Sequence, residues 1–156
     1  MRIRAATPRD AEAVETLRLR TWQVAYRQLV PQDHLAALQV TPQALTRWVA
    51  RLALATTSTL VAEVDDAVVG MAVAGGCRDE DLTGARELYA LYVDAGRWRG
   101  GTGTALLEAI EPVEVLWVLQ DNERARAFYQ RHGFAADGAS KVLDLGGPVV
   151  EVRYRR

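Results

Sequence analysis

The chain has 156 residues, 49% hydrophobic and 25% charged, which fits a single domain over residues 1–156 that buries roughly 68–70% of its unfolded surface, so two full domains would be cramped. Nineteen basic against twenty acidic residues leave a net charge of −1, too weak a field for a dedicated nucleic-acid binder. One cysteine, Cys77, excludes an internal disulfide framework, and no signal peptide or bilayer-length apolar run is present; the expectation is a cytoplasmic chain with no membrane partner.

Arg2-Ile3-Arg4-Ala5 alternates and reads as a short strand. Thr7-Pro8-Arg9-Asp10 then supplies a helix start: a capping hydroxyl, a proline in the first turn and an early acid. The helical stretch that follows carries Val14, Leu17, Trp22, Val24 and Tyr26 and closes at Pro31. A second start, Thr41-Pro42-Gln43, opens a helix over 44–54, where Leu45, Trp48, Val49 and Leu52 form one stripe. Residues 59–64 and 67–73 read as a hairpin around Asp65-Asp66. A strand over 87–93 leads through a glycine loop to a short helix over 104–111. Residues 113–119 are apolar on both faces, as a central strand should be. Asp121 caps the next helix, on which Ala125, Phe128, Tyr129 and His132 share a face, and Gly133-Phe134 ends it. Strands near 140–145 and 149–154 meet at Gly146-Gly147-Pro148. The order β-α-α-β-β-β-α-β-α-β-β is that of a mixed α/β sheet with helices on both faces.

Charge is uneven along the chain. Residues 61–81 hold Glu63, Asp65, Asp66, Asp79, Glu80 and Asp81 against Arg78 alone, which reads as solvated surface or as a local field beside a cationic substrate. Lys141 is the single lysine.

The most informative segment is Arg97-Trp98-Arg99-Gly100-Gly101-Thr102-Gly103-Thr104, between a strand end and a helix start. Glycines there let backbone N–H groups approach a ligand, and the helix N-terminus adds partial positive charge, so a phosphate or pyrophosphate is the natural guest; the alternative is a plain flexible turn. A Walker loop fails for want of a Gly-Lys pair. A dinucleotide fingerprint fails because Leu106 stands where its third glycine belongs.

Residues 91–107, with that loop, resemble the acetyl-CoA-binding motif of the GNAT superfamily of N-acetyltransferases, and 116–134, with Asn122 and Tyr129, resemble its next motif. The resemblance covers essentially the whole chain. It implies a GNAT-like single domain with a mixed, mostly antiparallel sheet of six to seven strands. The amides of Arg99, Gly100, Gly101, Thr102, Gly103 and Thr104 would hold the pyrophosphate of acetyl-CoA. The backbone of Leu91, Tyr92 and Val93 would meet its pantetheine arm, and Asn122 would contact the cofactor beside it. The sheet would splay between the strands ending near Val93 and Leu119. Trp98 stands where the family usually has Gln or Arg.

An amine must lose a proton before attacking a thioester, and the departing thiolate must gain one. By resemblance Tyr129 is the acid for the thiolate; the alternative is a core aromatic. Glu87 matches a position used as a base in some members; the alternative is a solvated residue at a strand edge. Trp22 and Tyr26 would wall the acceptor pocket or pack in the core. Asp79, Glu80 and Asp81 would attract an ammonium or decorate a loop. His34, His132 and Cys77 form no ligand spacing, so no metal is expected. The function implied is acetyl transfer to a primary amine of a small molecule in a ternary complex. The alternatives are a protein N-terminal or lysine acetyltransferase and a non-catalytic acyl-CoA sensor. The family also allows a homodimer.

Overall fold

The computed structural model describes residues 1–110 and 112–156; the expected helix end at Glu111 lies outside the described residues. Among the described residues seven strands are present: β1 (Arg2–Ala5), β2 (Thr57–Val64), β3 (Ala67–Gly76), β4 (Arg86–Val93), β5 (Val115–Leu119), β6 (Ala135–Asp144) and β7 (Pro148–Arg155). They form one sheet in the order β1-β2-β3-β4-β5-β7-β6, and β4–β5 is its parallel pair. The helices are α1 (Ala11–Ala25), α2 (Gln32–Ala37), α3 (Pro42–Leu52), α4 (Thr102–Ala109) and α5 (Glu123–Arg131).

Local chemistry explains most of these boundaries. The Asp10 carboxylate accepts the Thr7 N–H at 2.7 Å ahead of α1. Thr41 Oγ1 accepts the Ala44 N–H at 3.1 Å, with Pro42 in the first turn of α3. Asp65 and Asp66 sit at φ 49° and 61°, the left-handed pair that a two-residue hairpin turn requires. At the end of α5, Phe134 N–H reaches the Tyr129 carbonyl and Gly133 N–H the Gln130 carbonyl, both at 3.1 Å, a Schellman arrangement.

Three expectations need correction. The helical stretch does not run to Pro31: α1 ends at Ala25, and a separate six-residue α2 follows Pro31, adding a third helix before β2. In α3 the buried seam is Ala44 with Trp48 and Leu52, whereas Val49 is 44% exposed. The cap of α5 is Asn122, whose Oδ1 accepts the Ala125 N–H at 3.1 Å, not Asp121.

Two cores sandwich the sheet. One face carries Leu88, Leu116, Val118 and Tyr154 against Leu106 and Leu107 of α4 and Tyr129 of α5. The other carries Val61, Met71 and Tyr92 against Val14 and Leu17 of α1 and Trp48 of α3. Glu15 ties that second layer together, accepting Trp48 Nε1 at 2.7 Å and the fork of Arg18 at 2.8 Å. These hydrogen bonds, those from Arg18 above all, hold its carboxyl below the usual range despite burial.

The sheet is incomplete at its centre. β4 and β5 pair only at Glu87↔Val115 and Leu88↔Leu116, and beyond those two positions the strands diverge.

Candidate active site

The divergence exposes one edge of β4. Asp94 N–H reaches back to the Val69 carbonyl of β3 at 2.9 Å, so by strand alternation Tyr92 addresses β3 while Leu91 and Val93 turn their N–H and C=O toward the gap. The Val93 carbonyl accepts the Trp98 indole N–H at 2.8 Å, and the Arg124 guanidinium lies 3.2 Å from the centre of the Trp98 ring. Trp98 therefore spans the gap mouth between the glycine loop and α5.

Beside the gap lies the start of α4. The helix begins at Thr102, two residues earlier than the sequence suggested, with Gly101 as its N-cap at φ 81°. No side chain caps this terminus, and the Gly101, Thr102, Gly103 and Thr104 amides have no acceptor among the described residues. Arg99 is also left-handed, at φ 64°, so the loop turns sharply and aims successive amides outward. Such a nest suits a pyrophosphate. Gly103 serves packing as well: a Cβ there would stand 3.4 Å from the Phe128 ring of α5.

Tyr129 projects from α5 into the layer under the gap. It is buried, its ring lies 5.3 Å from Phe128 and 6.0 Å from Phe134, and its hydroxyl has no hydrogen-bond partner among the described residues. Burial pushes its phenol far above the ordinary tyrosine value, with Tyr92 adding to the shift. It stays a neutral O–H donor across the working pH range. Tyr26 is pushed up chiefly by burial too. Tyr92 packs on the α1 face of the sheet and Tyr129 on the α4–α5 face, while Tyr26 caps the C-terminal end of α1.

On the α1 face, Trp22 Nε1 donates to the Tyr92 hydroxyl at 3.0 Å, and the Trp22 and Tyr26 rings meet edge-on at 5.0 Å. Glu87 shares this face but is not a solvated edge residue. It is fully buried in a central strand, and Arg78 holds both of its oxygens: N–H at 3.0 Å and Nε at 3.1 Å to Oε2, Nη2 at 2.5 Å to Oε1. Asp79 and Asp81 are engaged as well, paired with Arg153 at 3.1 and 2.8 Å, while Asp79 also accepts Trp117 Nε1 at 3.0 Å. Glu80 is exposed. His132 closes α5, its Nδ1 2.8 Å from the Phe128 carbonyl and its Nε2 3.2 Å from Thr104 Oγ1.

Sequence reasoning missed Glu151. It lies on β7 opposite Leu119, the last residue of β5, and opposite Lys141 of β6. Val152 and Tyr154 join the α4–α5 core, so alternation turns Glu151 and Arg153 to the α1 face, with Trp117 and Leu119. Burial raises the Glu151 carboxyl above its ordinary value. The available signal was a lone acid in Val149-Val150-Glu151-Val152. At the far end of this face the tip of the β6–β7 hairpin is seated on α2: a Cβ on Gly146 would meet His34 Cβ at 2.7 Å.

The same architecture recurs among solved structures. The PaiA N-acetyltransferase of Thermoplasma acidophilum in complex with coenzyme A is 16% identical, with 99% of this chain and 98% of that one covered at a TM-score of 0.75. A ribosomal-protein-alanine N-acetyltransferase from Brucella melitensis is 24% identical, with 100% and 99% covered at 0.75. yncA from Salmonella typhimurium, with its cofactor acetyl-CoA, is 18% identical, with 100% and 92% covered at 0.72. At these identities the likeness speaks for the fold alone. No match was found among curated proteins. In sequence, the family model described as an acetyltransferase (GNAT) domain matches residues 55–136, a span that runs from β2 through the glycine loop and α5 and takes in more than half of the chain. The chain belongs to the GNAT acetyltransferase family.

Proposed function

We propose that this protein transfers the acetyl group of acetyl-CoA to a primary amine of a small molecule, by direct attack in a ternary complex. The observation that carries the reading is the parting of β4 and β5 beyond Leu88 and Leu116, directly beside an uncapped helix N-terminus. A long, thin cofactor with a pyrophosphate at one end fits this arrangement. The amides of Gly101 to Thr104, with that of Arg99 before them, would hold the pyrophosphate, whereas the Gly100 N–H turns back to the Arg97 carbonyl at 3.3 Å. Leu91 would offer its backbone N–H and C=O, and Val93 its N–H, to the pantetheine amides, the Val93 carbonyl being taken by the Trp98 indole, and Tyr92 between them faces the acceptor. Asn122 spends Oδ1 on its helix, so its contact with the cofactor falls to its amide nitrogen. The bound thioester supplies an activated acetyl group.

Tyr129 is the acid in this reading. Its neutral hydroxyl, free of other partners, donates to sulfur as the C–S bond breaks. The ammonium gives one proton to solvent before attack; the nitrogen loses a second as the amide forms, and that proton restores the Tyr129 hydroxyl whose own proton has gone to sulfur. Trp22, Tyr26 and Tyr92 wall the acceptor side. Glu87, the base suggested by resemblance, has both oxygens committed to Arg78; the reading gives it the role of fixing Arg78 and the loop after β3. The seating of the β6–β7 tip on α2 narrows the acceptor face and favours a small molecule over a protein chain. Among the described residues no helix is long and apolar enough to cross a membrane, and the reading assigns the protein to the cytoplasm, where acetyl-CoA is made and used. Free-thiol release with acetyl-CoA and a panel of amines, including peptides with free N-termini, tests it. Thiol release above the hydrolysis background with small amines is expected; release with peptides alone, or with none, overturns it.

A further inference from the structure

The side chains of Trp117, Lys141 and Glu151 stand together on three adjacent strands, on the acceptor face and next to the end of β5. Lys141, the only lysine of the chain, holds its ammonium 3.9 Å from the centre of the Trp117 ring and 3.5 Å from Glu151 Oε2. The ring is fixed edgewise by Asp79, which accepts its N–H at 3.0 Å and is itself held by Arg153 at 3.1 Å. An aromatic face and a carboxylate at right reach make a cradle for a primary ammonium, by cation–π attraction and a charge-assisted hydrogen bond. Its present guest is held loosely. The 3.5 Å contact is long for an ion pair, and the Lys141 side chain remains 38% exposed. The neighbouring carboxylates are bound more tightly, Glu87 by Arg78 and Asp81 by Arg153 at 2.5 and 2.8 Å. Glu151 lies opposite Leu119, at the end of β5 and past the point where that strand parts from β4, so the cradle stands beside the gap on the acceptor face.

We propose that Trp117 and Glu151 form an ammonium subsite of the acceptor groove, that Lys141 occupies it in the free protein, and that a cationic primary alkylamine displaces Lys141 to bind there. The proposal rests on the acetyl-transfer reading and narrows its acceptor from amines in general to those that arrive protonated. It makes Glu151 a substrate-contacting residue and Lys141 a resident competitor.

The two side chains must then act in opposite directions, which a merely structural ion pair would not do. With butylamine as the probe and saturating acetyl-CoA, Glu151→Gln is expected to raise KM at least tenfold with a smaller change in kcat. Lys141→Met is expected to lower KM several-fold. An unchanged KM in Glu151→Gln, or a KM raised by both substitutions, overturns the subsite. Calorimetric titration of butylamine into the protein without acetyl-CoA separates the two readings. If the parent releases no thiol with any amine, the transfer reading fails. The subsite then stands if Glu151→Gln weakens this binding and Lys141→Met tightens it, and falls if the two shift it together or not at all.

Discussion

Tyr129 and Glu87 are both withdrawn from water, yet their surroundings differ in kind. Glu87 is saturated by Arg78, whereas the Tyr129 hydroxyl has aromatic neighbours and no partner among the described residues. The hydroxyl is free to donate to a ligand sulfur without first giving up a partner in the protein. Tyr129→Phe is expected to keep the fold and cofactor binding while turnover falls roughly 10²–10⁴-fold, as steady-state assay beside thermal melts would show. A folded, fully active variant would make Tyr129 a core aromatic only. Tyr129 was legible because its helix face and the family motif both point to it. Glu151 was not, since alternation along β7 gives the same letters whichever face is turned inward. The partners of Glu87 and Glu151 were equally hidden, because ion pairing across strands leaves no fixed spacing.

At the scale of elements, β1, β2 and the start of α1 are bound by one arginine. Arg4 donates to Asp10 at 2.8 and 2.9 Å and to Glu63 at 2.6 Å. Its hydrogen bond, above all, draws the Asp10 carboxyl down to about 2. A depressed carboxyl contributes stability that is full above the unfolded pKa of about 3.9 and is lost as pH falls toward the folded value. The contribution is about 2 kcal/mol. Asp10→Asn should therefore cost about that much in urea unfolding near neutrality, and visibly less at about pH 3. Elements with their own caps and turns were readable for the same local reason: Thr41-Pro42, Asp65-Asp66 and Gly133-Phe134 each carry their geometry with them. Helix α2 carries little. Six residues are too few to hold a helix in isolation, and it stands by docking Leu35, 3% exposed.

For the whole molecule, the neighbour relations of strands were the least legible feature, because the order β4-β5-β7-β6 depends on contacts with no local signature. Cofactor binding gives a global readout. Acetyl-CoA at about 100 times its Kd should stabilise the fold by about 2.7 kcal/mol, raising Tm by about 5–10 °C for a domain of this size. Gly101→Val should remove that shift, since φ 81° is barred to a β-branched residue; an equal shift in a folded variant would clear the loop of this role. The short junction between β4 and β5 has a mechanical consequence. β1–β4 and β5–β7 are each closed by antiparallel neighbours, yet the strand pairing between the two halves spans only two residue pairs, supplemented by the Arg153 pairs with Asp79 and Asp81 and by the core under α4 and α5. That short seam is where subglobal opening of the sheet should begin. Native-state hydrogen exchange should find the amides along it less protected than those of the β2–β3 hairpin. A ligand that touches both banks of the gap would act as the missing rungs of the ladder, slowing exchange on strands it never contacts.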